Sequence, residues 1–450
     1  MKRRCTLLFL AVVLVAVSPL ASGQGLHTEW NLSVGPGWDV SPRVHDLDLD
    51  RRDEIISIAG SPPVLYCIGY DGSLKWHAEI GGSEGVGVAL GDLDGDFRLE
   101  VVAASSGSTG SAVYAFKSTG QQIWTYELGG KCTSAPLVAD LDWDGRDEVL
   151  VSDEGTGLHC ISGPTGDLLW IAPRRMPNMN QIAVADIERS GVVDVLWLQN
   201  KTGSIWIIDS ASGITKRTLD GTTETSYFGW PMIGDIDSDG LLDLVVSTGQ
   251  KVLCMDPETL NTRWEVEISS RYPGAMGDID GDGELEIMIP GDGVIVCLEG
   301  NGAQKYSVPI ETGGWMGSIV LGDIDGDGFQ EALVSDHMTQ IIYGLDANTG
   351  YIELSHASDR GGLFKGSCAP AIADGDWDGI VEVYITTAFE ESSPILSLES
   401  NSGGAFHHEW PQLMHDWRGT GNYETPLQTV PEALSIISLL VIVRLLLRST

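Results

Sequence analysis

The chain has 450 residues, a formal net charge of -38 and 42% hydrophobic residues, enough apolar content for a large core. Twenty-six Lys plus Arg against 64 Asp plus Glu leave no basic stripe to release counterions from a polyanion, so nucleic acid is excluded as a partner. A uniform acidic surface or acidic tail is excluded by where the acids fall, because 31 of the 64 occupy one short pattern that recurs along the chain.

The N-terminal segment reads as a secretory signal over residues 1–23. Lys2, Arg3 and Arg4 precede the apolar run from Leu7 to Val17, and Ala21, Ser22 and Gly23 offer small residues for cleavage. Thr28 to Ser33 then has the pattern of a last strand of a repeat with nothing before it, which predicts that the N-terminus completes the final unit and closes a ring.

The recurring pattern is clearest from Asp278 to Glu286, with carboxylates at positions 1, 3, 5 and 9, glycine at 6 and the apolar run Ile287 to Ile289 behind it. Ionised carboxylates about 4 Å apart repel by roughly 4 kcal/mol per pair at an effective dielectric of 20, a cost that a hard cation removes. Ca²⁺ accepts six to eight oxygens in flexible geometry and suits such a loop. An EF-hand opens similarly but places its last acid at 12 and continues as a helix, whereas β-branched residues follow here.

Seven copies supply complete acid sets: Asp46, Asp48, Asp50 and Glu54; Asp92, Asp94, Asp96 and Glu100; Asp140, Asp142, Asp144 and Glu148; Asp235, Asp237, Asp239 and Asp243; Asp278, Asp280, Asp282 and Glu286; Asp323, Asp325, Asp327 and Glu331; Asp374, Asp376, Asp378 and Glu382. The copy at Asp186 has Glu188 at 3 and Ser190 at 5, so it is expected to be weak or empty. Arg51 and Phe97 stand at the glycine position of the first two loops, which predicts backbone strain there.

The copies recur every 43 to 51 residues, a period that means a propeller or solenoid. One repeat, from Ser134 to Ile171, reads as four short strands with no helix: 135–139, the acidic loop, 149–152, 157–162 and 167–171. The fold expected is therefore all-β, a single β-propeller of eight four-stranded blades over residues 24–423, with seven blades as the alternative. Trp30, Trp76, Trp124, Trp170 and Trp264 match in the fourth strand and are read as filling the gap between blades. Cys67, Cys160, Cys254 and Cys297 share one strand position where Ala115 also occurs, which favours buried thiols over disulfides; Cys132 and Cys368 could pair.

The run from Gly234 to Val246 resembles the FG-GAP/VCBS repeats of integrin α-subunit and prokaryotic surface propellers. Ala115 to Trp124, with Thr119-Gly120 between, is similar to the tryptophan motif of quinoprotein propellers. The first resemblance implies Ca²⁺ in each matching loop. The segment from His407 to Trp417 resembles a closing segment seen after such propellers and is read that way rather than as a transition-metal site. Residues 424–450 form a linker and a tail in which Pro431, Glu432, the apolar run from Ala433 to Val443, Arg444 and Arg448 resemble PEP-CTERM or PEF-CTERM sorting signals, with a plain membrane anchor as the alternative. Both imply secretion and retention at the cell surface, with membrane association through the tail; a monomer is expected.

Connections between blades carry Trp38, Tyr227, Trp230, Arg271, Tyr272, Trp315 and Lys365, aromatic and cationic groups suited to an extracellular glycan or protein. Neither a nucleophile elbow, a zinc helix nor a phosphate loop is present. The function expected is a non-enzymatic adhesion or recognition module, and a calcium-dependent, rhamnogalacturonan-type polysaccharide lyase is the enzyme alternative.

Overall fold

The computed structural model describes residues 26–34, 40–108, 110–174, 180–199, 203–221, 230–270, 272–310, 316–336, 341–357, 369–386 and 393–403. Among them every regular element is a strand, and the strands assemble into eight antiparallel sheets of four. Each sheet is one blade of a propeller. Blade one consists of Arg43–His45, Glu54–Ala59, Val64–Gly69 and Leu74–Glu79. Blades two to seven follow at 84–127, 137–173, 180–219, 232–266, 275–309 and 316–357. Blade eight takes three strands from 371–403 and its fourth, His27–Val34, from the opposite end of the chain. The prediction that the N-terminal strand closes the ring is met, and so is the eight-blade count.

Burial explains the residue choice strand by strand. First and second strands are covered on both faces by neighbouring blades, so Glu100–Ser106 is buried throughout and is built from small and β-branched residues. Fourth strands lie at the outer rim and alternate, as Leu74–Glu79 does. The core lies between blades. One cluster joins Ile56, Leu65 and Cys67 of blade one to Val88, Leu90 and Phe116 of blade two, and another joins Val44 and Ile55 to Tyr384 and Ile395 across the ring closure. At roughly 1.5–3 kcal/mol for each buried aliphatic side chain, these contacts rather than any sheet alone hold a blade in place.

The predicted tryptophans do more than fill space. Each donates its indole N–H to a carbonyl in the third-to-fourth-strand turn of the next blade: Trp30 to Tyr70 at 2.5 Å, Trp76 to Ser118 at 2.7 Å, Trp124 to Gly163 at 2.6 Å, Trp170 to Ser210 at 2.7 Å and Trp264 to Gly300 at 2.9 Å. The ring lies flat on that turn. A Cβ at Gly166, whose φ is +72°, would come within 2.7 Å of the Trp124 ring, so the turn needs glycine for its backbone and for the close approach. In blade six Tyr306 takes the place of tryptophan and donates its hydroxyl to Ala347. The residue opposite Trp30 on the third strand is Ser397, and those opposite Trp76, Trp124, Trp170, Trp264 and Tyr306 are Cys67, Ala115, Cys160, Cys254 and Cys297. All four cysteines, and Cys132, are buried free thiols, whereas Cys368 lies outside the described residues.

Candidate metal centres

The acidic loops join the first strand of each blade to the second. Position 9 always pairs with the last residue of the first strand, as in His45 with Glu54, Gly91 with Glu100 and Ala373 with Glu382. Registry therefore holds the last acid beside the start of its own loop. In six blades one carboxylate oxygen of that acid accepts the amide of position 2, over 2.7–3.0 Å: Leu47 to Glu54, Leu93 to Glu100, Leu141 to Glu148, Ile279 to Glu286, Ile324 to Glu331 and Gly375 to Glu382.

The loop folds around the acid at position 1. Asp92 accepts the amides of Gly95, Asp96 and Phe97 at 2.8–3.0 Å, and Asp374 accepts those of Asp378 and Gly379. Position 6 has positive φ even where it is not glycine, 67° at Arg51 and 66° at Phe97, so the turn is kept and the expected strain is borne by the backbone. Position 4 is left-handed as well, at Leu49, Trp143, Arg189, Ser238 and Trp377, where the sequence supplied no warning. Each such residue costs about 1–2 kcal/mol relative to the right-handed region. That cost is spread over seven non-glycine positions that all curl carboxylates inward.

The result is a close group of oxygens. In the loops beginning at Asp46, Asp92, Asp140, Asp235 and Asp278, three carboxylates have ligand atoms within 4.8 Å of one another. Glu54, Glu100, Glu148, Glu331 and Glu382 are buried at the base of their loops, while positions 3 and 5 are mostly exposed. Burial first, with repulsion from the neighbouring aspartates adding to it and the position 2 amide opposing it, pushes Glu100 and Glu148 up to about 7, Glu382 to about 8 and Glu331 to about 9. A donor set made only of oxygen, with a buried carboxylate at its base, fits a hard divalent cation such as Ca²⁺ and not a soft transition metal.

A family model described as outer membrane protein assembly factor BamB matches residues 64–353. The chain belongs to this family. Among similar solved structures, BamB from Moraxella catarrhalis is 16% identical with a TM-score of 0.57, over 85% of this chain and 98% of that one. A rhamnogalacturonan lyase PL11 from Bacillus licheniformis is 17% identical with a TM-score of 0.58, over 91% and 81%. A europium-containing methanol dehydrogenase is 11% identical with a TM-score of 0.59, over 83% and 93%. At these identities the likenesses establish the fold alone. No curated protein matches the sequence.

In this BamB-family propeller the residues expected to meet a ligand fare differently. Trp38, Tyr227, Arg271, Trp315 and Lys365 lie outside the described residues. Trp230 packs against the apolar cluster of Ile372 and Val320, and Tyr272 is partly buried. Large apolar groups are instead exposed at the tips of the acidic loops: Phe97, Trp143, Leu241, Phe329 and Trp377 are each more than half exposed, and Leu49 and Val192 are exposed beside them. The sequence carries the signal, an apolar residue at position 4, 6 or 7 of an otherwise polar loop, beside the acids that dominate the motif.

Proposed function

We propose that this chain is a calcium-stapled, non-catalytic β-propeller displayed at the cell surface, where it recognises or adheres to a glycan or a protein as a monomer. The observation that carries this reading is the buried position 9 carboxylate repeated at equivalent strand junctions around the ring. Such groups require compensation, and an oxygen-lined loop suits Ca²⁺. The signal-like residues 1–23 and the sorting-like residues 424–450 support export and retention; both lie outside the described residues, among which no helix is long and apolar enough to cross a membrane. Exposed aromatics interleaved with ion loops, as at Phe97, Trp143, Phe329 and Trp377, make that rim the first surface to test for a glycan. Two assays test the proposal. Elemental analysis should find bound calcium, and EDTA should lower the melting temperature because the ion binds the folded state. Incubation with pectic and other acidic polysaccharides should give binding without unsaturated, ultraviolet-absorbing products. Product formed above a chelated control would replace the recognition module with a lyase.

A further inference from the structure

In every blade the pairing of third and fourth strands slips by one residue at the same place, and in six of the eight the next residue is the ring that bonds the following blade. A bulge of this kind leaves one residue unpaired and re-aims its side chain. In blades one, four, five and six that residue is basic: Lys75, Lys216, Arg263 and Lys305. Each turns into the acidic loop of its own blade. Lys75 Nζ lies 2.9 Å from Asp48 at position 3 and also bonds Glu54 at position 9. Lys305 Nζ lies 2.6 Å from Asp280 and 3.3 Å from Glu286, the same two positions. Arg263 lies 2.9 Å from Asp243, 3.6 Å from Asp237 and 3.7 Å from Asp239. In blade four Lys216 is 2.7 Å from Asp194, and the neighbouring Arg217 is 2.6 Å from Glu188.

The other four blades differ. Blades two and three have Ile123 and Leu169 at the bulge, and blades seven and eight have Glu353 and Glu29. Among the described residues no basic group forms an ion pair with Glu100, Glu148, Glu331 or Glu382, although all four are more than nine-tenths buried. Glu353 and Glu29 are themselves acidic, and Glu29 accepts the hydroxyl of Ser397 at 2.9 Å.

We propose that the bulge residue decides how each loop is neutralised: blades one, four, five and six carry a resident ammonium or guanidinium in place of an ion, and blades two, three, seven and eight alone take up calcium. The assignment rests on the calcium reading above and narrows it. In blades one and six the ammonium sits between positions 3 and 9, in blade five the guanidinium meets positions 3, 5 and 9, and in blade four Lys216 meets position 9 while Arg217 meets position 3. Each thereby occupies acids an ion would use, and it repels a divalent ion twice as strongly as a univalent one. The uncharged and acidic bulges offer no such substitute. In blade eight the bulge residue, Glu29, stands on the N-terminal strand while the loop acids come from the far end of the chain.

The test is to count bound calcium by elemental analysis in the full chain after dialysis at micromolar free calcium, with melting temperatures in calcium and in EDTA. Four ions are expected in the parent, three in Ile123→Lys with the fold retained, and five in Lys305→Met. Glu29→Lys should lose one ion and melt higher than the parent in EDTA, because a lysine there would hold the closure without metal. Seven ions in the parent, or unchanged counts in both Ile123→Lys and Lys305→Met, would overturn the assignment and leave calcium binding intact. No bound calcium in any of them would remove the calcium reading itself and the assignment with it.

Discussion

The contact between Trp124 of blade two and Gly166 of blade three allows the interblade latch to be measured. Gly166→Ala places a methyl 2.7 Å from the indole, closer than real Cβ contacts come, on a backbone with φ of +72°. The left-handed backbone alone costs about 1–2 kcal/mol, and forcing an extra methyl into a packed contact adds about 1–3 kcal/mol. Gly145→Ala supplies the control, because Gly145 has φ of +84° with nothing within 4 Å of its Cβ direction, so it reports the backbone term alone. Trp124→Ala should cost about 3–5 kcal/mol for a buried indole, including its bond to Gly163. Once the ring is gone the new methyl has room. Gly166→Ala in the Trp124→Ala background should therefore cost no more than Gly145→Ala does in the parent, giving a coupling of about 1–3 kcal/mol between the two sites. The assay is equilibrium urea unfolding at saturating calcium, comparing midpoints at constant slope. An equal cost of Gly166→Ala with and without Trp124 would show that the indole does not press on this turn.

Other expectations follow from the acids, the loop backbone and the thiols. In the chelated protein burial holds Glu100, Glu148, Glu382 and Glu331 above the ordinary glutamate value of 4.5, so their contribution to stability is present below about pH 4.5 and is lost as pH rises through 7 to 9. EDTA-treated protein should therefore melt higher at pH 5 than at pH 8.5, and a rise over that interval would contradict the burial of these acids without compensation. Phe97→Gly should be neutral or stabilising by up to about 1 kcal/mol, since it relieves a left-handed phenylalanine that is 80% exposed and packs little; a loss comparable to a core deletion would mean the ring has a partner on the folded chain. Cys67, Cys160, Cys254 and Cys297 are fully enclosed, and burial pushes Cys297 up to about 12, so thiol reagents should modify none of the four until the protein unfolds. Peptide mapping after native labelling checks this.

Much of the architecture was legible because its causes are local. Carboxylates at 1, 3, 5 and 9 act within nine residues, and the two-residue alternation of strands such as Leu74–Glu79 is printed in the chain; repeated eight times, these signals specified blades, loops and ring closure. The fourth strands were aligned correctly by their tryptophans, yet the residue just before each of them passed unread. Lys75 meets Asp48 27 residues away and Lys305 meets Asp280 25 residues away, while Glu29 joins the blade of the Asp374 loop only when the two ends of the chain share a sheet. Composition and spacing therefore determined that the loops gather negative charge and that something must neutralise it. Which loops carry their own ammonium or guanidinium was decided by tertiary structure alone, because a bulge turns one residue of a distant strand, and no local pattern records where that side chain points.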